Sequence, residues 1–220
     1  MTKEVLYGAD AIKRVEELEG RELSLPERLV VEEEGFVNAP YKDTKGITTY
    51  GVGQTGKWIN KSFGEAFKAH EKEAKKLIPS YDSLPEEAKA AVMSAAYRGD
   101  LQQSPKFRKL FNEGKFAEAA QEFLNNEDYK QSVKEGTGVA GRMERIAEAV
   151  FNLSLPQEQP EENIPVGMDN ELTPIQTYQV QPGDTLYSIS RKLGISVPDL
   201  VLSNNITDRN MIQPGVELEY

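Results

Sequence analysis

Between Ser154 and Gln176 the chain reads SLPQEQPEENIPVGMDNELTPIQ. These 23 positions hold four prolines, five carboxylates and no basic residue, with neither helical nor alternating apolar spacing. A stretch of this kind buries too little apolar surface to offset the entropy of ordering it, and it reads as a linker. A flexible coil of that length keeps its ends about 25–30 Å apart, and proline stiffening lengthens the reach. The chain is thereby cut into a long unit and a short one that act semi-independently. Residues 177–220 are few enough to be marginal as a lone domain, so that unit has to be compact and idealised. The expected organisation is an N-terminal helical extension over 1–23, a main domain over 24–153, the linker over 154–176 and a small domain over 177–220.

Charge follows the same division. The formal net charge is −10, and the segments 1–23, 24–153 and 154–220 carry −2, −1 and −7 of it. That balance argues against general phosphate-backbone binding, so nucleic acid is not an expected partner. There is no cysteine, which excludes disulfides, zinc thiolates, Fe–S clusters and thiol nucleophiles together. His70 is the only histidine, and it sits in Lys68-Ala69-His70-Glu71-Lys72, which reads as a solvated helix face. The remaining chemistry belongs to carboxylates. No apolar run approaches the ~20 residues needed to span a bilayer, and the first residues lack the apolar core of a signal peptide, so synthesis in the cytoplasm is expected.

Val5, Ala9, Ile12 and Val15 fall at helical spacing, with Gly20 as a stop, and predict an amphipathic helix docked on the main domain or serving as a targeting tail. Ser24-Leu25-Pro26-Glu27 is a helix start: Ser24 caps, Glu27 completes a capping box, and Pro26 lies in the first turn. Leu29 and Val30 give this helix an apolar side. Gly35 ends it in a left-handed conformation, which makes Glu34 its last residue. A carboxylate at the negative end of a helix is disfavoured as the anion and suits a general acid. Taken alone, Glu32-Glu33-Glu34 reads as a solvated charge run. Residues 36–43 and 47–53 then flank a turn at Thr44-Lys45-Gly46 and predict a hairpin, with Asp43 at the turn and Thr49 on the returning strand. Glycoside hydrolysis needs two carboxyl groups in different environments, and Glu34 and Asp43 are candidates, with Thr49 converging on the same cleft.

The segment EGFVNAPYKDTKGITTYGVG, with Glu34, Asp43 and Thr49 at these spacings, resembles the active-site segment of the phage-type lysozymes. The resemblance runs over about residues 24–153: Lys89 to Tyr97 is similar to the family's central buried helix, Phe107 to Leu124 to the helical hairpin after it, and Gly138 to Phe151 to its C-terminal helix. It implies an α+β, mainly helical fold with a small hairpin lobe. It also implies Glu34 as general acid, Asp43 and Thr49 as the pair that positions water, and Arg142 as the arginine that supports the acid. Gln54 stands where the family usually has histidine, which puts local geometry or pH profile in question. Tyr97 and Arg98 end the central helix where family members line the cleft, and Gln54 is expected to line that cleft with them. Trp58 reads as a packing residue before a sugar-stacking one.

In the small unit, Tyr178-Gln179-Val180 alternates as a strand, Pro182-Gly183-Asp184-Thr185 forms a turn and helix cap, and Leu186, Ile189 and Leu193 make a helical stripe ending at Gly194. A second helix begins at Val197, and Val216 to Tyr220 makes a last strand. This βααβ pattern resembles the LysM module. The resemblance implies a groove for N-acetylglucosamine chains built from Gly183, Asp184, Thr185 and Leu186 on one side and Asn205, Ile206 and Ile212 on the other. The competing reading makes Leu186, Ile206 and Ile212 a small core and Asp184 a cap.

The expectation is therefore a monomeric N-acetylmuramidase that cleaves the β-1,4 bond between N-acetylmuramic acid and N-acetylglucosamine. Inversion of configuration is implied, with peptidoglycan glycan strands as partner and no metal or organic cofactor. It would be made in a bacterial host and act on the cell wall, after release through a holin or from a virion. A noncatalytic wall-binding or virion structural protein on the same scaffold, or a lytic transglycosylase, are the rival readings.

Overall fold

The computed structural model describes residues 3–43, 46–135, 138–155, 176–181, 184–206 and 212–220. The main domain opens with a short strand β1 (Val5–Leu6), followed by α1 (Gly8–Glu19) and α2 (Leu25–Glu34). A lobe of β2 (Phe36–Lys42), β3 (Thr48–Gly51) and β4 (Gln54–Thr55) comes next. The rest is helical: α3 (Phe63–Leu77), α4 (Glu86–Arg98), α5 (Asp100–Gln103), α6 (Pro105–Asn112), α7 (Phe116–Phe123), α8 (Glu127–Glu135) and α9 (Gly138–Asn152). The small domain contains β5 (Thr177–Gln179), α10 (Leu186–Leu193), α11 (Val197–Ser203) and β6 (Glu217–Glu219). Both anticipated units are present, as a mainly helical domain with a small antiparallel sheet and a βααβ module. Among the described residues no helix is long and apolar enough to cross a membrane.

The start of α2 follows its sequence. Ser24 and Glu27 form the reciprocal capping box with Pro26 in the first turn, and Glu27 also grips Arg21 through both carboxylate oxygens. Pro26, Glu27, Val30 and Val31 form the buried face. That face packs on α4, where Ala88 and Ala90 to Ala96 are buried almost without interruption. A helix apolar on every side has to lie at the centre of its domain, and its alanines let α2, α3 and α9 approach closely. A second focus lies between α6 and α7, where Phe107 stacks near Phe111 and Phe123 at ring separations of 5.7 and 5.1 Å. Burial of such rings contributes about 1.5–3 kcal/mol each.

The lobe is a four-stranded antiparallel sheet in the order β1-β2-β3-β4. Leu6 pairs with Phe36, Tyr41 with Thr49, and Thr49 in turn with Thr55. Here the structure corrects the helical reading of the first residues: Val5 is in β1 and not in the amphipathic helix. Gly8, at φ +54, turns the chain from strand into helix, and the free edge of β2 supplies hydrogen bonds that a local helix pattern cannot foresee. From Ala9 onward the helical reading holds, with Ala11 and Val15 in the core and Gly20 as a left-handed cap.

The small domain has its own core of Val180, Leu186, Ile189, Val197, Leu200 and Leu218. It does not stand clear of the main domain. Tyr187 is 5% exposed, its ring meets Phe151 of α9 edge-on at 6.3 Å, and Arg191 donates to Gln121 of α7 at 3.2 Å. Residues 156–175 of the anticipated linker lie outside the described residues.

Candidate active site

Glu34 closes α2 because Gly35 adopts φ +70 with an extended ψ of −173, a conformation open to glycine and costly for other residues. The φ is left-handed as expected but the ψ is not helical, so the chain enters β2 at once. The Glu34 carboxylate is a quarter exposed. Its Oε1 accepts from Arg142 Nη1 at 2.8 Å, and its Oε2 faces Gly53, where a Cβ would stand only 2.9 Å away. Glu34 is therefore clamped between the first turns of α9 and a glycine of the hairpin. Arg142 donates through Nη2 to the Glu33 backbone oxygen at 2.7 Å as well, so one guanidinium holds the helix end and its terminal side chain together.

Glu33 is the residue that sequence reasoning missed. The triplet does not form a solvated face: Glu32 is exposed, while the Glu33 side chain is only 3% exposed. Burial raises its affinity for protons, opposed by a hydrogen bond from Ser94 and by the charges of Arg142 and Arg145. Ser94 Oγ donates to Glu33 Oε2 and Arg145 Nη2 to Oε1 at 3.3 Å, which ties α2, α4 and α9 into one unit beneath Glu34. The available signal was spacing: Glu33 and Glu34 lie three and four residues after buried Val30, on the inward face.

Asp43 begins the hairpin turn. Its backbone N–H donates to Ile47 O at 2.9 Å, and its Oδ1 accepts from Ile47 N–H at 2.8 Å. Thr49 is 5% exposed and donates to Ile47 O at 3.3 Å. Tyr41 stands opposite Thr49 in the register; burial pushes its hydroxyl up in pKa, and the charges of Asp43 and Glu34 push it further.

Gln54 does not fall where a cleft lining was expected. Gln54 is 4% exposed; its Nε2 donates to Lys61 O at 2.7 Å and Trp58 O at 3.2 Å, and its Oε1 accepts from Val52 N–H at 3.2 Å. An amide with both donor and acceptor ends suits this clamp on the turn after β3, so Gln54 supports the hairpin from beneath. Arg98 bonds Asp100 through Nε at 3.1 Å and lines a cavity with Asn126, Val139 and Met143. Tyr97 is closer to the chemistry. Its hydroxyl donates to Val52 O at 2.8 Å, and burial, with the Glu34 charge nearby, raises its pKa strongly.

His70 is half-buried and not on a fully solvated face: its ring lies 4.8 Å from Tyr97 and 5.8 Å from Trp58, and burial lowers its pKa despite a hydrogen bond to the Ala96 backbone. The ring contact with His70 also accords with a packing role for Trp58. A cavity of about 520 Å³ between α2, α4 and α9 shares Glu33 with this region but is not lined by Glu34, Asp43 or Thr49.

In the small domain, Leu186 is buried, and Ile206 and Ile212 pack against the same core. Asp184 is held structurally: Oδ2 accepts from Tyr178 Oη at 2.7 Å and Gln181 N–H at 2.9 Å, and Oδ1 from Lys192 Nζ at 2.6 Å. Burial alone would raise its pKa, but the ammonium and the other donors outweigh that and hold it at about 2. Thr185 caps α10 through Ser188. Asn205 is exposed and takes φ +50 after α11. Gly183 lies outside the described residues. Asp184, Thr185, Leu186 and Ile212 nevertheless line one wall of a cavity of about 310 Å³, and Gly141, Glu144 and Glu148 of α9 line the other.

A phage lysozyme family model matches residues 31–148, and a LysM domain model matches residues 178–218. No curated protein sequence matches the chain. Among solved structures, the chain is similar to the crystal structure of the active form of the P1 phage endolysin Lyz, with a TM-score of 0.50 and 14% identity. The match covers 70% of this chain and 99% of that one, and at this identity the likeness is one of fold.

Proposed function

The chain belongs to the phage lysozyme family and carries a LysM domain, and from that premise we propose that this peptidoglycan hydrolase is an inverting N-acetylmuramidase. It cleaves the β-1,4 bond between N-acetylmuramic acid and N-acetylglucosamine. Glu34 protonates the leaving glycosidic oxygen as general acid. Asp43, as carboxylate, and Thr49, through its hydroxyl, position and activate a water on the opposite face of the sugar ring. Arg142 orients Glu34 and offsets its charge once the proton is gone. The LysM domain holds the enzyme on the wall, which raises the local concentration of glycan at the cleft.

The observation that carries this reading is the Glu34 environment: a helix-terminal carboxylate, gripped on one oxygen by Arg142 at 2.8 Å, a quarter exposed, with its other oxygen against Gly53 of the hairpin lobe. Asp43 stands in a different setting, with its carboxylate on the Ile47 N–H of the hairpin turn at 2.8 Å, and glycoside hydrolysis uses two carboxyl groups in two roles.

The test is product analysis of digested peptidoglycan. Wild type should yield reducing-end muramic acid in the α configuration, and Glu34→Gln should lose at least about a hundredfold in kcat, the usual worth of a general acid. Products with 1,6-anhydro ends would assign a lytic transglycosylase instead. No new ends with wild type would assign a noncatalytic wall-binding protein.

A further inference from the structure

Residues 1–30 lie outside the matched lysozyme stretch, yet β1 is built into the sheet that bears the active-site residues. Val5 pairs with Val37 and Leu6 with Phe36. The strand is pinned further by Asn38, whose Oδ1 accepts from the Glu4 N–H at 2.8 Å and whose own N–H donates to Glu4 O at 3.2 Å. Successive side chains on a strand point to opposite faces. Leu6 packs against the main core, so Lys3, Val5 and Tyr7 share the other face. All three are exposed: Val5 is 40% and Tyr7 69% exposed. That face is continuous with the site. The Lys3 ammonium sits 4.4 Å from the centre of the Tyr41 ring, Tyr41 stands opposite Thr49, and the charges of Asp43 and Glu34 help raise the pKa of the Tyr41 hydroxyl.

Tyr7 is exposed but not loose. Its ring lies against Gly35, so closely that a Cβ there would come within 2.9 Å of Cδ1. The residue after the proposed acid has to be glycine both for its backbone and to seat this ring. A large aromatic face that is two-thirds open, backed by main chain and next to a carbohydrate-cleaving centre matches the apolar C–H face of a pyranose ring.

We propose that the N-terminal strand forms an additional glycan subsite, in which Tyr7 stacks on a pyranose ring of the strand being cleaved and Lys3 with Tyr41 forms its floor. This rests on the muramidase reading given above. The subsite engages long glycans beyond the reacting pair of sugars, and it contributes to binding without taking part in bond cleavage.

The experiment compares full-length wild type, Tyr7→Ala and Tyr7→Trp on long uncrosslinked glycan strands and on the shortest glycan that wild type cleaves, with melting temperatures recorded for each. Tyr7→Ala should raise KM on long strands about tenfold, equivalent to about 1.4 kcal/mol, with kcat within about twofold of wild type and the shortest substrate unaffected. Tyr7→Trp should restore KM, because it restores the aromatic face. An unchanged KM for a folded Tyr7→Ala, or an equal loss of kcat on both substrates, overturns the subsite. If Tyr7→Ala does not fold, the Tyr7 ring resonances in a Glu34→Gln background decide: shifts on adding tetra-N-acetylchitotetraose support the subsite, and none at saturation overturns it. Should wild type cleave no glycan at all, the muramidase reading fails, and the same ring resonances still report whether Tyr7 meets sugar.

Discussion

Glu33 and Glu34 are neighbours in the chain with different tasks. The first is enclosed by Ser94, Arg142 and Arg145, and the second is left a quarter open at the helix end. Removing the Glu33 charge would leave Arg142 half partnered, so its effect would reach Glu34 through that guanidinium. Gly53 offers a cleaner test of how tightly Glu34, the proposed acid, is held. At φ +64, with Glu34 Oε2 only 2.9 Å from where a Cβ would stand, Gly53→Ala strains the backbone and displaces the carboxylate together. The expected result is a kcat lowered about 10- to 100-fold, since small displacements of a reacting group carry penalties of that size, with substrate binding at the LysM domain unchanged. Steady-state kinetics beside a wall pull-down checks it; a kcat equal to wild type would show that Glu34 is not positioned by this contact.

Among the elements, the two hairpin strands and the end of α2 act as a unit because one glycine terminates the helix and another receives its last side chain. Gln54 braces that unit from below, with its amide saturated by Val52, Trp58 and Lys61 backbone groups. In the small domain the equivalent brace is Asp184, which ties the turn after β5 to Lys192 on α10. Its folded pKa of about 2 lies below the ~3.9 of an unperturbed aspartate, so folding favours the charged form. The stability it contributes is present above about pH 4 and is lost as the pH falls towards 2. Asp184→Asn should therefore lower the melting point of the LysM domain near pH 6 and weaken the acid-induced loss between about pH 4 and 2. Thermal unfolding followed through LysM resonances in the full chain checks this, and an unaltered pH dependence would contradict it.

Across the whole molecule, the acidic C-terminal part is not simply trailed behind the catalytic domain. Tyr187 is inserted against Phe151, and Arg191 reaches Gln121. Deleting residues 177–220 should sharply reduce binding to intact cell walls while cleavage of soluble glycan fragments continues. Because Phe151 is uncovered at the same time, the melting point of the remaining domain should fall by a few degrees, about 3–8 °C. Sedimentation with purified walls, turnover on soluble fragments and calorimetry separate the three effects. Equal losses of wall binding and fragment cleavage would contradict the division of labour between the domains.

Local patterns in the sequence were enough to determine the two units, the capped start and glycine stop of α2, the hairpin, the alanine-rich central helix and the βααβ order of the module. Each of these depends on the spacing of apolar residues or on one residue's backbone freedom, which neighbours in the chain dictate. The strand at Val5–Leu6, the burial of Glu33 and His70, the use of Gln54 as a brace, the seating of Tyr7 on Gly35 and the docking of Tyr187 on α9 were decided only by the tertiary structure. Every one of them needs a partner from another element, from Asn38 for β1 to Ser94 and Arg145 for Glu33, and a charged or polar side chain settles according to the partners that the fold brings to it.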